Sequence, residues 1–510
     1  MKRSTSASRQ LASRGMLPVF LSVDPTSTVP LYRQLYNSIR DAIVGGTLQA
    51  GMRLPATRTL AGDLRVSRNT VINAIEQLLA EGYVDARVGS GTYVRQPLPD
   101  YLTSPLRGDL PRPRARMPLR VSARGQRLRE LLTGLSRGEP RAFRPGVPDL
   151  EGFPKALWAK MNARTWRRAG AGILSYGDPA GYGPLRNAIA RYISGARGVR
   201  CDAGQVLVVA GSQQGLYLAS HVLLDPNDPA WLEDPGYLGA RSALVSAGAR
   251  VVPVPIDREG LTLPGGAARS TRPRLVYVSP SHQFPLGVTM TLARRLQLLR
   301  FAHGCGAWIL EDDYDSEYRY TSRPIAALQG LDDGAHVVYI GSFSKVLLPS
   351  LRLGYVVVPE QLVDTFTAAR SLIDRESPAA EQATLAAFIE EGHFERHIRR
   401  MRSLYLTRRD ALIEAVQHHL GPLLELEPGD AGLHVVGWLP PGVDDRQASE
   451  RAAACGVAVA PLSVFCLKPR KRGGLVLSYG AVTAEEIRNA VPRLGKALRE
   501  LVRKNSRARR

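Results

Sequence analysis

The chain has 510 residues with 68 Lys and Arg against 46 Asp and Glu, a formal net charge of +22. That length exceeds what one hydrophobic core serves, so two or more domains are expected. An apolar share of 44% with a charged share of 22% excludes a disordered chain. The excess positive charge points to a polyanionic partner, nucleic acid before membrane, although Arg-rich coding gives the same sign. No apolar run has the length of a signal peptide or a membrane span. The cysteines Cys201, Cys305, Cys455 and Cys466 lack metal-ligand spacing. A cytoplasmic protein with reduced thiols and no metal site is therefore expected.

Residues 30–94 read as a compact helical unit. Leu31, Leu35, Ile39 and Ile43 make one apolar stripe on a helix closed by Gly45-Gly46. Pro55 opens a second helix over residues 56–64, with Leu60, Ala61 and Leu64 facing inwards. Ser67 is a good N-cap for a third, whose buried stripe is Val71, Ala74, Ile75 and Leu78. Arg68, Asn69 and Thr70 are left outward in the first turn. There Arg can pair with guanine, Asn with adenine, and the free helix N–H groups with phosphate. Residues 83–87 and 92–94 read as a hairpin across Gly89-Ser90-Gly91, a wing able to approach a phosphate backbone closely.

The order Gly51, Leu54-Pro55, Arg58, Leu60-Ala61, Val66-Ser67-Arg68, Thr70-Val71, Leu78, Glu81-Gly82-Tyr83 and Gly89-Ser90-Gly91-Thr92 resembles the GntR family of winged helix-turn-helix domains. The resemblance implies a DNA-binding domain over residues 26–95, with contacts at Arg58, Ser67, Arg68, Asn69, Thr70 and Gly91. A small helical domain for protein contacts is the rival reading, and it has no need of a Gly-Ser-Gly wing.

Residues 96–142 are rich in Pro and Arg. Between Arg107 and Arg129 eight arginines face one acid, Asp109. This composition reads as a linker, either a solvated tether or a phosphate-contacting one, with a helix near residues 127–135.

From Phe143 onward, strand-like runs at 205–211, 250–256, 274–279, 307–311, 337–341 and 353–358 alternate with helical stretches. That alternation predicts a parallel, doubly wound sheet with its ligand at the carboxyl ends of the strands. The most telling segment is Gly341-Ser342-Phe343-Ser344-Lys345, with Arg352 seven positions on. A lysine just past a strand end can form a Schiff base with an aldehyde while Ser342, Ser344 and Arg352 hold a phosphate. Ser212 and Gln213 follow Gly211 where a strand turns into a helix, an anion site or an ordinary helix start. In Glu311-Asp312-Asp313-Tyr314, a buried carboxylate can keep a pyridine nitrogen protonated or bind Mg²⁺, and Lys345 favours the first. Tyr237 offers a stacking face, or is simply a turn tyrosine.

Together these segments resemble the fold-type I aminotransferases over residues 143–500, and their order after a GntR-like domain is that of the MocR/GabR subfamily. The expected architecture is multidomain. An α+β winged helix-turn-helix precedes an α/β aminotransferase-like domain with a smaller C-terminal subdomain, and a basic tail covers residues 501–510. The resemblance implies pyridoxal 5'-phosphate as cofactor. Lys345 would carry it, Asp312 would pair with the pyridinium, Tyr314 with the phenolate, and Tyr237 would stack on the ring. Ser212, Gln213, Ser342, Ser344 and Arg352 would bind the phosphate, with Tyr176 reaching it from the neighbouring subunit of a head-to-tail homodimer. The implied function is a regulator that reads two DNA half-sites and answers to the cofactor, or to an amine or amino acid reacting with it.

Three departures from the enzymes bear on turnover. Phe284 stands where an Asn precedes the Pro of an Asn-Pro-x-Gly turn. Asp312 and Tyr314 are two apart rather than three. Val476 takes the place of the arginine that holds a substrate carboxylate, for which Arg472 or Arg241 could substitute. A working aminotransferase with an appended DNA-binding domain, and a DNA-binding dimer with an empty pocket, are the competing readings. The basic runs Lys468-Pro469-Arg470-Lys471-Arg472 and 503–510 are either solvated or support bent DNA.

Overall fold

The computed structural model describes residues 21, 23–87, 89–95, 120–132, 142–263, 272–320, 325–332, 336–427 and 429–508. It divides into two units between Leu119 and Arg120. The first holds α1 (Leu31–Val44), α2 (Thr57–Leu64), α3 (Arg68–Ala80) and the hairpin β1 (Val84–Arg87) with β2 (Gly91–Val94). Leu35, Ile39 and Ile43 close one core with Leu60, Val71, Ala74, Ile75, Leu78, Tyr83, Val84 and Val94. Each large aliphatic side chain buried there contributes roughly 1.5–3 kcal/mol. Leu31, the first residue of its helix, is only half-buried. Arg65, at φ 52°, makes the left-handed turn between α2 and α3. Residues 51–54 run beside the hairpin: Leu54 N–H donates to Thr92 O at 2.8 Å and Val94 N–H to Met52 O at 2.8 Å.

The second unit is built on an eight-stranded sheet. Its strands are β3 (Val206–Val209), β4 (Pro229–Asp234), β5 (Arg250–Asp257), β6 (Gly260–Leu261), β7 (Leu275–Val278), β8 (Trp308–Asp313), β9 (Val337–Ser342) and β10 (Gly354–Val357), in the order β3-β10-β9-β8-β7-β4-β5-β6. From β5 through β4, β7 and β8 to β9 the pairing is parallel, as the alternating pattern predicts. The expectation of an all-parallel sheet fails at β10, which is antiparallel to both β3 and β9. Only residues 343–353 separate β9 from β10, too few for a crossover helix, so the chain turns straight back. That turn carries Lys345. β6 is also antiparallel to β5.

A smaller antiparallel sheet, β11 (Glu425–Glu427), β12 (His434–Trp438), β13 (Ala460–Pro461) and β14 (Gly474–Ser478), forms with helices His393–His419 and Ala484–Ala508 a second core. The last helix continues into the expected basic tail as far as Ala508, with the stripe Leu494, Leu498 and Leu501 buried. A helix does precede this unit, but over Ala123–Leu132 rather than 127–135, and it lies against helix Leu238–Ala247. Part of the stretch read as linker thus packs with the second unit. The rest, residues 96–119 and 133–141, lies outside the described residues. No described helix is long and apolar enough to cross a membrane.

Two chain-distant groups meet under the sheet. Buried Arg197 donates from Nε to Asp313 Oδ2 at 2.7 Å, from Nη2 to Ser281 Oγ at 2.6 Å and from Nη1 to Ile325 O at 2.5 Å. Tyr339 donates to the same Asp313 oxygen at 2.5 Å. Removing the carboxylate strands a guanidinium in the interior. Asp313→Asn should cost about 3–5 kcal/mol, read as an earlier denaturant midpoint for the second unit; an unchanged midpoint would show the pair contributes nothing.

Candidate cofactor site and DNA-binding face

The carboxyl end of β8 places Asp312 in the interior. Its Oδ2 accepts from Tyr277 OH at 2.8 Å, while Oδ1 is buried and has no partner among the described residues. Burial pushes this carboxyl up to about 7. Lys345, on the turn after β9, donates from Nζ to Gly146 O at 2.5 Å. Burial lowers its pKa, opposed by the charges of Asp315 and Asp312. A less basic amine is more often neutral, and only the neutral amine attacks a carbonyl.

Tyr237 sits between the two ends of the site. Burial pushes its phenol up to about 12, and the charges acting on it are those of Asp312 and Arg352. Arg352 lies beside Gly211 and donates to Ala210 O at 2.7 Å. Gly211, at φ +91°, caps helix Ser212–Leu223, so the N–H groups of Ser212 and Gln213 precede the first intrahelical bonds. The Gln213 side chain is spent on Gly239 O at 3.0 Å. Ser342 Oγ accepts from Ser344 N–H at 3.2 Å, which folds both hydroxyl residues into the same turn as Lys345.

Two expected residues stand differently. Tyr314 OH donates to His282 O at 2.9 Å and lies 3.1 Å from His282 Nδ1, so its hydroxyl is already engaged. Tyr176 is 75% exposed, with the Arg375 guanidinium 4.4 Å over its ring. Val476 is fully buried against Val436 and Leu462, leaving no polar group in that place. Of its possible substitutes, Arg472 is committed to Glu425 and Leu439 O, both at 2.7 Å. Arg241 makes no side-chain hydrogen bond among the described residues. Phe284 meets Tyr237, Tyr314, His434 and Phe465 edge-on, making an apolar wall where the enzymes keep an amide.

Sequence reasoning missed Tyr277, His282 and Asp315. Asp315 and His282 are both buried and 3.0 Å apart, which ties Tyr314 into a chain of three groups. Tyr277 was within reach of pattern reading. It pairs with Leu310, two residues before Asp312, and so faces the same side of the sheet.

On the first unit, Arg58, Ser67, Arg68 and Asn69 are exposed and Thr70 half-buried. Ser67 Oγ accepts from Thr70 N–H at 3.0 Å and lies 2.8 Å from Thr70 Oγ1. These two hydroxyls fix the start of α3, leaving Arg68 and Asn69 to project. Gly91 has φ +110°, and a Cβ there would stand 2.9 Å from Arg53 Nε. Arg53 therefore joins the wing through its pairing with Tyr93, a cation not foreseen although it directly precedes Leu54-Pro55.

Residues 31–94 match the gntR family of bacterial regulatory proteins, and residues 146–494 match aminotransferase class I and II. The chain is 40% identical to the probable rhizopine catabolism regulatory protein MocR of Rhizobium meliloti, over 94% of this chain and 95% of that one. It is 34% identical to the HTH-type transcriptional regulator TauR of Rhodobacter capsulatus, over 92% and 96% respectively. The crystal structure of LysN, the alpha-aminoadipate aminotransferase of Thermus thermophilus complexed with N-(5'-phosphopyridoxyl)-L-leucine, is similar at a TM-score of 0.66 and 32% identity. That likeness covers 74% of this chain and 95% of LysN. The enzymes share the second unit alone, whereas the regulators are matched nearly end to end. This chain therefore belongs to the MocR-type transcriptional regulators, in which a GntR-family DNA-binding domain precedes an aminotransferase class I and II domain.

Proposed function

We propose that the second unit holds pyridoxal 5'-phosphate at Lys345, and that DNA binding answers to this cofactor or to an amine or amino acid that reacts with it. The observation carrying the reading is the unpaired, buried Oδ1 of Asp312. An unsatisfied carboxylate oxygen is costly, and a pyridinium N–H is the donor that relieves it. The bound cofactor would supply an aldehyde able to condense with amines.

Each residue then has one task. Lys345 supplies the amine, Tyr237 stacks on the ring, and Arg352, Ser342, Ser344 and the N–H groups of Ser212 and Gln213 hold the phosphate. Tyr314 serves the phenolic oxygen by giving up its bond to the His282 carbonyl. Val476 and Phe284 deny a substrate the carboxylate fork and the amide that turnover uses, which favours sensing over catalysis. Arg241, uncommitted and one helical turn after Tyr237, is the group left to greet an effector carboxylate.

Exposed Leu174, Tyr176 and Leu372 support a homodimer in which a second copy covers them. Such a dimer, working in the cytoplasm, would present two winged domains to two half-sites. Helix Ala123–Leu132 lies against the helix that starts directly after Tyr237, which gives the cofactor site a physical route towards the linker.

Arg68→Ala should cost about 1–3 kcal/mol of operator affinity and relax one base position. Binding to a panel of single-base operator variants reads this, and undiminished affinity with a folded domain rules out the assigned docking of α3. Lys345→Ala should lose the visible absorbance of lysine-bound cofactor and resist borohydride trapping; a reducible cofactor surviving in that variant moves the assignment to another lysine. Asp312→Asn tests the pyridinium partner. The carboxyl of Asp312 is raised from 3.8 to about 7 in the fold, so its buried charge weakens the cofactor-free protein progressively as pH climbs through that interval. The Asn variant should therefore melt higher than the parent at pH 8, equal it near pH 4, and bind the cofactor more weakly. Equal melting at both pH values would contradict the assignment.

A further inference from the structure

We propose a divalent metal site at the amino end of β9, the end of that strand opposite Lys345, formed by His303, Asp332 and His336 and taking Zn²⁺ or a similar borderline ion. The three residues come from different places. His303 ends helix Leu292–Cys305, Asp332 follows helix Leu328–Leu331, and His336 stands directly before β9. One ligand atom from each lies within 4.8 Å of the others.

His303 Nε2 and Asp332 Oδ1 are 2.7 Å apart, and the two imidazole rings are 4.3 Å apart between centroids. Asp332 is no surface acid: its side chain is fully buried, and Oδ2 accepts the His336 N–H at 3.0 Å. A plain ion pair with His303 would explain that carboxylate. It would not explain His336, whose Nδ1 is buried with no hydrogen-bond partner among the described residues. Trp308, its ring 6.0 Å from that of His336, walls the far side.

Two imidazole nitrogens and one carboxylate oxygen are a common donor set for Zn²⁺, which binds them at about 2.0–2.2 Å and so wants donors about 3.3 Å apart. His303 is 42% exposed at a helix end. It is free to make the small swing that closes the cluster, and it leaves an open coordination position on the solvent side. The other trio, His282, Asp315 and His434, is fully buried and adjoins the candidate cofactor site through Tyr314. His282 Nε2 also lacks a partner among the described residues, but two of the trio's imidazole nitrogens are engaged. His282 Nδ1 faces Asp315 and Tyr314, and His434 Nε2 is 3.0 Å from Pro285 O.

A bound ion would tie helix Leu292–Cys305 to the start of β9, the strand that ends at Ser342. Binding to the folded state alone raises stability by mass action.

The test is calorimetry of the untagged, full-length protein with Zn²⁺, and titration with Co²⁺ followed by its ligand-field absorption. A single saturable equivalent and a higher melting temperature are expected. His303→Ala and His336→Gln should each weaken binding at least about tenfold. Cys305→Ser, a nearby thiol outside the trio, should leave it unchanged. His303 is exposed, so its alanine variant should fold as the parent does and decides the matter even if His336→Gln is unstable. Absence of saturable binding, or binding of equal strength in His303→Ala, overturns the site.

Discussion

Three successive carboxylates, Glu311, Asp312 and Asp313, are buried at the end of β8, and the partners each one finds set the arrangement of the candidate cofactor site. Strand alternation sends Glu311 and Asp313 to one face and Asp312 to the other. Glu311 accepts the N–H groups of Leu328 and Gln329, each at 2.8 Å, the start of a short helix. Asp313 is neutralised by Arg197 and bonded by Tyr339. Both neighbours are thus pinned on the opposite face, and Asp312 between them is held, among the described residues, by Tyr277. Asp312 Oδ1 and, on the other face, Asp313 Oδ1 are left without partners among the described residues, and Asp312 Oδ1 is the one on the face of the proposed cofactor.

The same logic of spent and unspent groups separates positioning from recognition in the first unit. Ser67 and Thr70 use their hydroxyls on each other and on the helix start. Arg68 and Asn69, just beside them, have no such local task. A capped helix end is rigid, as the expected reading of base edges by Arg68 and Asn69 requires. The wing follows suit: Gly91 is glycine because its backbone is left-handed and Arg53 occupies the space a side chain would need.

The second unit keeps the fold of an aminotransferase at 32% identity, and two of the differing positions bear on its chemistry. The LysN-like architecture of the second unit is retained, while the amide position is filled by Phe284 in an aromatic cluster and the carboxylate-binding position by Val476 in an aliphatic one. Both positions carry apolar side chains that gain from burial and offer no hydrogen-bond donor, in keeping with the proposed sensing role.

What the sequence determined by itself were features written in consecutive residues. The helix stripes of the first unit, the Ser67 cap, the glycine wing, and the Gly341–Lys345 segment with Arg352 at its spacing are all local patterns tied to a physical requirement. Their resemblance to known families supplied the roles. Tertiary structure alone decided the rest, because it depends on which distant segments pack together. The reversal of β10 reflects the short connection rather than any residue pattern within the strand. The burial of Leu501, past which the last helix continues, depends on a core built from segments distant in sequence. Arg197 finds Asp313, Tyr277 finds Asp312, and His303 finds Asp332 and His336 across long stretches of chain, and no spacing rule encodes such meetings. A side chain's neighbours along the sequence set its conformation; its neighbours in space set its charge, its partners and its task.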